Sequence, residues 1–209
     1  EFGIPYDFGS VMHYKRFDFS KNGNQTIVAI DGKYDKTMGQ RNRLSFNDIK
    51  LINFKYCNSS CSTSISCLNG GYVNPNSCGV CKCPLNFYGT YCQNYVTSPS
   101  TTCGSQMLTA NTTLQFLTIS GALNCYFVIK TTPYGTIRIN VISTNLVKND
   151  PCYSGKGLEI KYLKDKTSTG INFCGVNSYQ IFNSESDSVL VHYVGTSASD
   201  NFTLTYIRR

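Results

Sequence analysis

The chain has 209 residues, with 11 Cys, 15 Tyr, no Trp and a formal net charge of +7. Cysteine at this density predicts an oxidising compartment, and hence a secreted, extracellular protein, because free thiols are a liability in the cytosol. No stretch approaches the roughly 20 apolar residues of a membrane helix, and Lys and Arg are scattered in runs of at most two. Neither a membrane span nor a nucleic-acid partner is therefore predicted.

Four Asn-x-Ser/Thr triplets agree with a secretory route, although such triplets also arise by chance in a chain rich in Asn, Ser and Thr. We expect about half of them to carry glycans. The four candidate glycosylation sites are Asn24, Asn58, Asn111 and Asn201.

The opening segment, residues 1–57, ends in a predicted helix. Ser45 is a suitable N-cap residue, and Asp48 stands three residues later as its capping-box partner. The helix should end at Cys57, and one largely apolar face should pack inward. The positions of that face are Phe46, Ile49, Ile52 or Asn53, and Tyr56.

Two strings in this segment, P-Y-D-F-G-S-V-M-H-Y over 5–14 and G-Q-R-N-R-L-S-F-N-D-I-K-L-I-N-F-K-Y-C over 39–57, resemble the C-terminal end of an astacin catalytic domain. Astacins are secreted zinc metalloendopeptidases. The resemblance implies that Met12 is the Met-turn methionine, an apolar floor beneath the zinc ligands. It implies that Tyr14 is a weak additional metal ligand and a catalytic residue that stabilises the transition state. His13 is not a zinc ligand in this family.

The zinc-binding motif H-E-x-x-H-x-x-G-x-x-H of such enzymes does not occur in the chain, whose two histidines are His13 and His192. Peptide hydrolysis by zinc needs three protein ligands, an open position for water and a nearby carboxylate base. We therefore expect zinc in the intact parent enzyme, no tight zinc binding by these 209 residues, and no peptidase activity from them alone.

The middle segment, residues 58–93, contains six cysteines that must replace a hydrophobic core in so short a module. Six cysteines allow 15 pairings, among which spacing alone does not choose. The pattern C-x-N-G-G, C-x-C-P and G-x-x-C resembles an EGF-like module. That resemblance implies the pairs Cys61–Cys78, Cys67–Cys81 and Cys83–Cys92. Calcium-binding EGF modules carry acidic residues just before the first Cys, and residues 56–60 contain none, so calcium is not expected.

Residues 94–102 are polar and interrupted by proline, and are predicted to be a linker. Residues 103–209 alternate apolar and polar side chains in several segments, which predicts a β-sandwich or barrel. The apolar positions are Ile137, Ile139 and Val141; Leu158, Ile160 and Tyr162; and Phe202, Leu204 and Tyr206.

The length and cysteine spacing of this last segment resemble a CUB domain, which implies the disulfides Cys103–Cys125 and Cys152–Cys174. Gly157 stands where many CUB domains carry a calcium-binding Asp, so calcium is not expected here either. His192 lies on a predicted strand and is interpreted as a packed or edge residue rather than a ligand.

These expectations define a mainly β, multidomain chain: an astacin remnant with one helix (1–57), an EGF-like module (58–93), a linker (94–102) and a CUB-type β-sandwich (103–209). The odd cysteine, Cys57, is expected to be unpaired here, because in astacins its equivalent pairs with a cysteine near the start of the catalytic domain. We expect a preceding N-terminal part for three reasons: the number of cysteines is odd, the first residue is Glu1, and a signal peptide is lacking. Residues 1–57 are then expected to be the least stable region.

The favoured hypothesis is the C-terminal portion of a secreted zinc endopeptidase acting on extracellular proteins. EGF-like and CUB modules would place it on its substrates or on the matrix. The alternative is a non-catalytic secreted binding or adhesion protein that carries a relic protease segment.

Overall fold

The computed structural model describes residues 2–62 and 64–209, which form a mainly β structure with one α-helix, α1 (Phe46–Tyr56), and two short 3-10 turns (Gly32–Tyr34 and Thr101–Cys103). The strands are Tyr72–Asn74 (β1), Ser77–Lys82 (β2), Phe87–Tyr88 (β3), Asn94–Tyr95 (β4), Met107–Thr109 (β5), Gln115–Ser120 (β6), Asn124–Lys130 (β7), Ile137–Asn145 (β8), Gly157–Lys161 (β9), Ile171–Phe173 (β10), Val176–Asn183 (β11), Ser188–Val194 (β12) and Asn201–Arg208 (β13). The predicted fold class is confirmed. No helix among the described residues combines the length and apolar character needed to cross a membrane.

Strands β5 to β13 form a sandwich of two sheets. One sheet has the order β10-β9-β12-β7-β5, and the other has the order β11-β8-β13-β6. All pairings are antiparallel except β5 with β7, which is parallel. The predicted alternation places its apolar side chains between the sheets, where Ile137, Leu158 and Phe202 are fully buried. The burial of side chains of this size is the main stabilising contribution to the sandwich.

The five-stranded sheet is also buried on its outer face, which the alternating pattern does not predict. Glu159 and Lys161 point to this face and are only 3% and 4% exposed. The Glu159 carboxylate accepts a hydrogen bond from the Gly170 backbone N–H at 2.8 Å, and the Lys161 ammonium donates to the Lys166 carbonyl at 2.9 Å. The two charged groups lie 4.0 Å apart. Partners of this kind are needed, because burying an unpaired charge is costly.

The opening segment covers one part of this outer face. The Thr169 backbone N–H donates to the Asp7 carboxylate at 3.1 Å, and the Asn172 backbone N–H donates to the Thr37 hydroxyl at 3.1 Å. The Asn47 side-chain amide donates to the Ser168 hydroxyl, also at 3.1 Å. Hydrogen bonds at three separate positions of the opening segment therefore anchor it to the sandwich.

Apolar contacts accompany these hydrogen bonds. Ala29, Tyr34 and Met38 belong to the same hydrophobic core cluster as the interior of the sandwich. Tyr34 is 2% exposed, stacks on Phe8 with ring centroids 4.7 Å apart, and lies 6.3 Å from the ring of Tyr162. Part of residues 1–57 therefore packs within this chain, and the expectation that the segment is the least stable region stays a prediction.

Helix α1 begins and ends as predicted. Ser45 is its N-cap, both hydrogen bonds of the capping box with Asp48 are present, and Cys57 is the C-cap. The predicted inward-facing apolar face is wrong for its second half, because Ile52 and Tyr56 are 46% and 78% exposed. Phe54 instead packs edge-on against Tyr72 of the middle module, with ring centroids 5.5 Å apart.

The middle module is held by three disulfides and two small antiparallel pairs, β1 with β2 and β3 with β4. Its Phe87 and Cys92 pack against Val128 and Leu190 on the outer face of the five-stranded sheet. The stretch predicted as a linker differs from expectation: its first two residues form β4, and the Ser98 hydroxyl accepts a hydrogen bond from the Tyr126 backbone N–H at 2.9 Å. Pairing with β3 gives this polar segment a defined path.

His192 is packed as predicted, in the middle of the outer face. Its ring stacks on Tyr126 at 4.1 Å, and its Nε2 lies 2.9 Å from the Asn124 amide oxygen. Burial lowers the pKa of His192 to about 4; Glu159 opposes this shift, while Arg43 and Lys161 add to it.

This shift predicts a pH-dependent stability. Between about pH 4 and 6.5 the unfolded state binds a proton that the folded state does not, so the free energy of unfolding decreases as pH falls through this window. His192→Gln, which keeps a polar side chain beside Asn124, should flatten the dependence in urea unfolding measured from pH 4 to 7. His13→Gln serves as the matched control, and equal flattening by both variants would contradict the assignment to His192.

Candidate functional site

The S-V-M-H-Y turn (residues 10–14) is tied to the start of helix α1 by one carboxylate. Asp48 accepts hydrogen bonds from the Ser10 hydroxyl at 2.6 Å, from the Val11 backbone N–H at 3.1 Å and from the Ser45 backbone N–H at 2.9 Å. The Ser10 hydroxyl oxygen in turn accepts from the Met12 backbone N–H at 3.1 Å. The capping-box residue of the helix therefore also sets the conformation of the S-V-M-H-Y turn, which the resemblance identifies as the Met-turn.

A second clamp acts on the carbonyl groups of the same turn. Arg41 Nη1 donates to the Val11 carbonyl at 2.6 Å and to the His13 carbonyl at 2.7 Å. The neighbouring Gln40 amide donates to the Gly9 carbonyl at 2.8 Å. Asp48 accepts from backbone N–H groups and Arg41 donates to backbone carbonyls. Charged side chains therefore restrain both the donors and the acceptors of the turn's backbone.

The two residues to which the resemblance gives roles are presented outward by this restrained turn. Met12 is 78% exposed and Tyr14 is 52% exposed. Tyr14 touches Phe19 edge-on, with ring centroids 5.3 Å apart, and its hydroxyl has no hydrogen-bond partner among the described residues. A rigid backbone that carries an accessible phenol can direct a hydrogen bond to a bound molecule.

A surface cavity of about 420 Å³ adjoins the turn. Met12 and His13 line it from the turn, Tyr6 and Asp7 from the preceding chain, and Leu51 from helix α1. The His13 ring lies against Tyr6, and its Nδ1–H donates to the Tyr14 carbonyl at 2.7 Å. One ring nitrogen of His13 is thus engaged within its own turn, and its exclusion from the zinc ligands stays a prediction.

Within the described ranges, no group of three or more His, Cys, Asp or Glu side chains is arranged to hold a metal ion. The two histidines lie apart, one in the opening segment and one on β12. The described residues therefore do not bring together a ligand set for zinc. The weak ligand role that the resemblance gives to Tyr14 stays a prediction.

The disulfides of the structure are those that the two resemblances imply. They are Cys61–Cys78, Cys67–Cys81, Cys83–Cys92, Cys103–Cys125 and Cys152–Cys174. Cys57 is half-buried at the end of α1 and is free in the part of the chain that the structure describes. Asn24, Asn58 and Asn111 are exposed and Asn201 is half-buried at the start of β13, so their glycosylation stays a prediction.

Sequence reasoning missed Asp48 and Arg41 as residues of this site. Asp48 was assigned only to the helix cap, and Arg41 only to the G-Q-R string. Nothing in the local sequence shows that Asp48 reaches a turn 38 residues earlier in the chain. One signal was available: a carboxylate has two acceptor oxygens, and the capping box of one helix uses only part of that capacity.

Comparisons with known proteins agree with the astacin resemblance. Residues 1–57 match the family profile Astacin (Peptidase family M12A). The zinc metalloproteinase nas-34 of Caenorhabditis elegans is 40% identical over 99% of this chain, which spans 33% of that protein. For nas-37 of the same organism the identity is 39% over 98% of this chain and 27% of that protein. The chain thus spans about a third or less of these relatives.

Among solved structures, the CUB1-EGF-CUB2 domain of human MASP-1/3 matches 69% of this chain and 55% of its own, with a TM-score of 0.41 and 14% identity.

Proposed function

We propose that this chain is the C-terminal portion of a secreted zinc metalloendopeptidase of the astacin family, since residues 1–57 match the Astacin profile and the chain is 40% identical to an astacin-type relative along nearly its whole length. Its reaction is hydrolysis of peptide bonds in extracellular proteins. The observation that carries this proposal is the Met-turn, in which Tyr14 stays accessible while Asp48 and Arg41 restrain the backbone just before it.

Tyr14 has the chemistry that the reaction requires. A tetrahedral intermediate of peptide hydrolysis carries negative charge on the former carbonyl oxygen, and a preorganised donor aimed at that oxygen stabilises the transition state. The phenol of Tyr14 is such a donor. Met12 supplies a polarisable apolar surface next to it. Zinc, held by ligands outside these 209 residues, would supply Lewis-acid chemistry in the intact enzyme.

The cysteine-rich and β-sandwich modules, interpreted as EGF-like and CUB, serve in this proposal to bind protein substrates or matrix. The Asp7–Thr169 and Thr37–Asn172 hydrogen bonds of the sandwich, and the Phe54–Tyr72 contact of the cysteine-rich module, support a fixed position of both relative to the Met-turn. Because five disulfides stabilise them, they suit an extracellular environment.

The test compares the 209-residue chain with the product of the complete open reading frame that encodes it. We expect the complete product to cleave a denatured protein substrate, to lose activity to a chelator and to regain it with zinc, whereas the 209 residues alone should be inactive. A complete product without zinc and without peptidase activity would refute the proposal and favour the adhesion-protein alternative.

Replacing Tyr14 by Phe in the complete product tests the role of the phenol. We expect kcat to fall about 100-fold with little change in KM, because the lost hydrogen bond acts mainly in the transition state. Tyr56→Phe, at an exposed position on α1, is the matched control. Unchanged kcat in Tyr14→Phe would show that Tyr14 is only a structural residue of the turn.

A further inference from the structure

The junction of the opening segment, the middle module and the sandwich encloses a cavity of about 470 Å³, separate from the Met-turn. This volume lies within the range of pockets that hold small molecules, roughly 300–1,000 Å³. Phe46 and Ile49 of α1 form one wall, Tyr72 and Leu85 of the middle module form another, and Lys161 of β9 contributes from the sandwich.

The charged residues of this junction cavity are all cations. Arg43, Lys82 and Lys161 line it, and no Asp or Glu does. Lys161 is 4% exposed, and its ion-pair partner Glu159 lies 4.0 Å from it. Lys82 is half-buried and makes no ion pair within the described residues. The positive charge of the cavity is therefore only partly balanced by the protein.

Two hydroxyl groups of the lining also lack partners. Thr167 is 1% exposed, and its Oγ1 makes no hydrogen bond in the structure. The Ser154 Oγ is likewise buried without a partner, although the Ser154 carbonyl accepts a hydrogen bond from Arg43 at 3.2 Å. Buried polar groups are normally satisfied, so unpartnered hydroxyls beside a cavity indicate a bound polar group or water.

We propose that the junction cavity binds a small amphipathic anion, with one carboxylate or sulfonate group beside the cations and an apolar body between Phe46, Ile49 and Leu85. Lys161 and Lys82 supply the charge, and the hydroxyls of Thr167 and Ser154 supply further hydrogen bonds. This site is distinct from the Tyr14 site, since none of residues 10–14 lines it, although Gln40 and Ser45 of the lining also hold the turn in place.

A matched pair of fluorescent probes tests the charge requirement on the 209-residue chain. The probes are 8-anilinonaphthalene-1-sulfonate and its neutral analogue N-phenyl-1-naphthylamine; the chain contains no Trp to interfere. We expect saturable one-site binding of the sulfonate, at least about tenfold tighter than that of the neutral probe, and weaker binding as salt increases. Absent, non-saturable or equal binding of the two probes would overturn the proposal.

Variants then locate the binding site. Lys161→Met and Lys82→Met should each weaken sulfonate binding about tenfold and leave the neutral probe unchanged, whereas Lys148→Met, at an exposed lysine away from the cavity, should change neither. Lys82→Met is included because Lys161→Met leaves Glu159 unpaired and could unfold the sheet. Ile49→Trp should fill the cavity and abolish binding of both probes. Sulfonate binding that survives Ile49→Trp in a protein with an unchanged thermal transition would place the site elsewhere.

Discussion

Asp48→Ala should lower the free energy of unfolding of the opening segment by about 3 kcal/mol, because a charged acceptor of several hydrogen bonds and a helix cap are lost together. Its carboxylate binds the Ser10 hydroxyl and the backbone N–H groups of Val11 and Ser45. Hydrogen exchange of residues 10–14 and urea unfolding followed by circular dichroism measure the effect. In the complete product we expect peptidase activity to fall with it, since Tyr14 loses its fixed backbone.

Two companion variants make this result interpretable. Asp48→Asn keeps one side-chain carbonyl oxygen as an acceptor and should give an intermediate loss. Asp150→Ala removes a carboxylate that is 68% exposed and whose ion pair with Arg16 is 3.4 Å long. Such a surface pair contributes roughly 0–1 kcal/mol. If Asp48→Ala cost no more than Asp150→Ala, the carboxylate would not restrain the turn.

Tyr34→Ala should destabilise the contact between the opening segment and the sandwich by about 4 kcal/mol, the usual range for deleting a large buried aromatic ring. Tyr34 is 2% exposed, stacks on Phe8 and belongs to the core cluster that includes the sandwich interior. Limited proteolysis should then cut within residues 1–57 at a concentration of protease that leaves the unmodified chain intact.

Tyr34→Phe is the matched control and should behave differently. The Tyr34 hydroxyl is buried and has no hydrogen-bond partner at good geometry among the described residues. Burial raises the pKa of Tyr34, and the Tyr162 hydroxyl beside it opposes that shift. Removing an unsatisfied buried hydroxyl should therefore leave stability within about 0.5 kcal/mol of the original or increase it slightly. A loss in Tyr34→Phe as large as that in Tyr34→Ala would indicate a hydrogen bond to this hydroxyl.

The regular elements could be predicted from the sequence because their signals are local. The Ser45–Asp48 capping box marks the start of α1, and the alternation around Ile139 and Leu204 marks the inward faces of β8 and β13. The burial of Glu159 and Lys161 could not be predicted in this way. A polar residue alternating with apolar ones normally faces solvent, and here two other parts of the chain cover that face.

The residues of the candidate site also divide into those with a local sequence signal and those without one. Met12 and Tyr14 could be identified from a contiguous string, whereas Asp48 and Arg41 act across the fold. Arg41 reaches the Val11 carbonyl, 30 residues earlier, and this pairing depends on the path of the intervening chain. The local sequence does not determine that path, so the restraint on the Met-turn can be recognised only from the three-dimensional structure.

The hydrogen bonds that anchor the opening segment have a consequence for the order in which the protein matures during synthesis. Thr37 is separated from Asn172 by 135 residues, and Asp7 from Thr169 by 162. A ribosome adds roughly 5–20 residues per second, so Asp7 and Thr37 wait for many seconds after their synthesis before the residues that they bind exist. During that interval the aromatic ring of Tyr34 lacks its partners in the sandwich, and chaperones have access to this part of the chain.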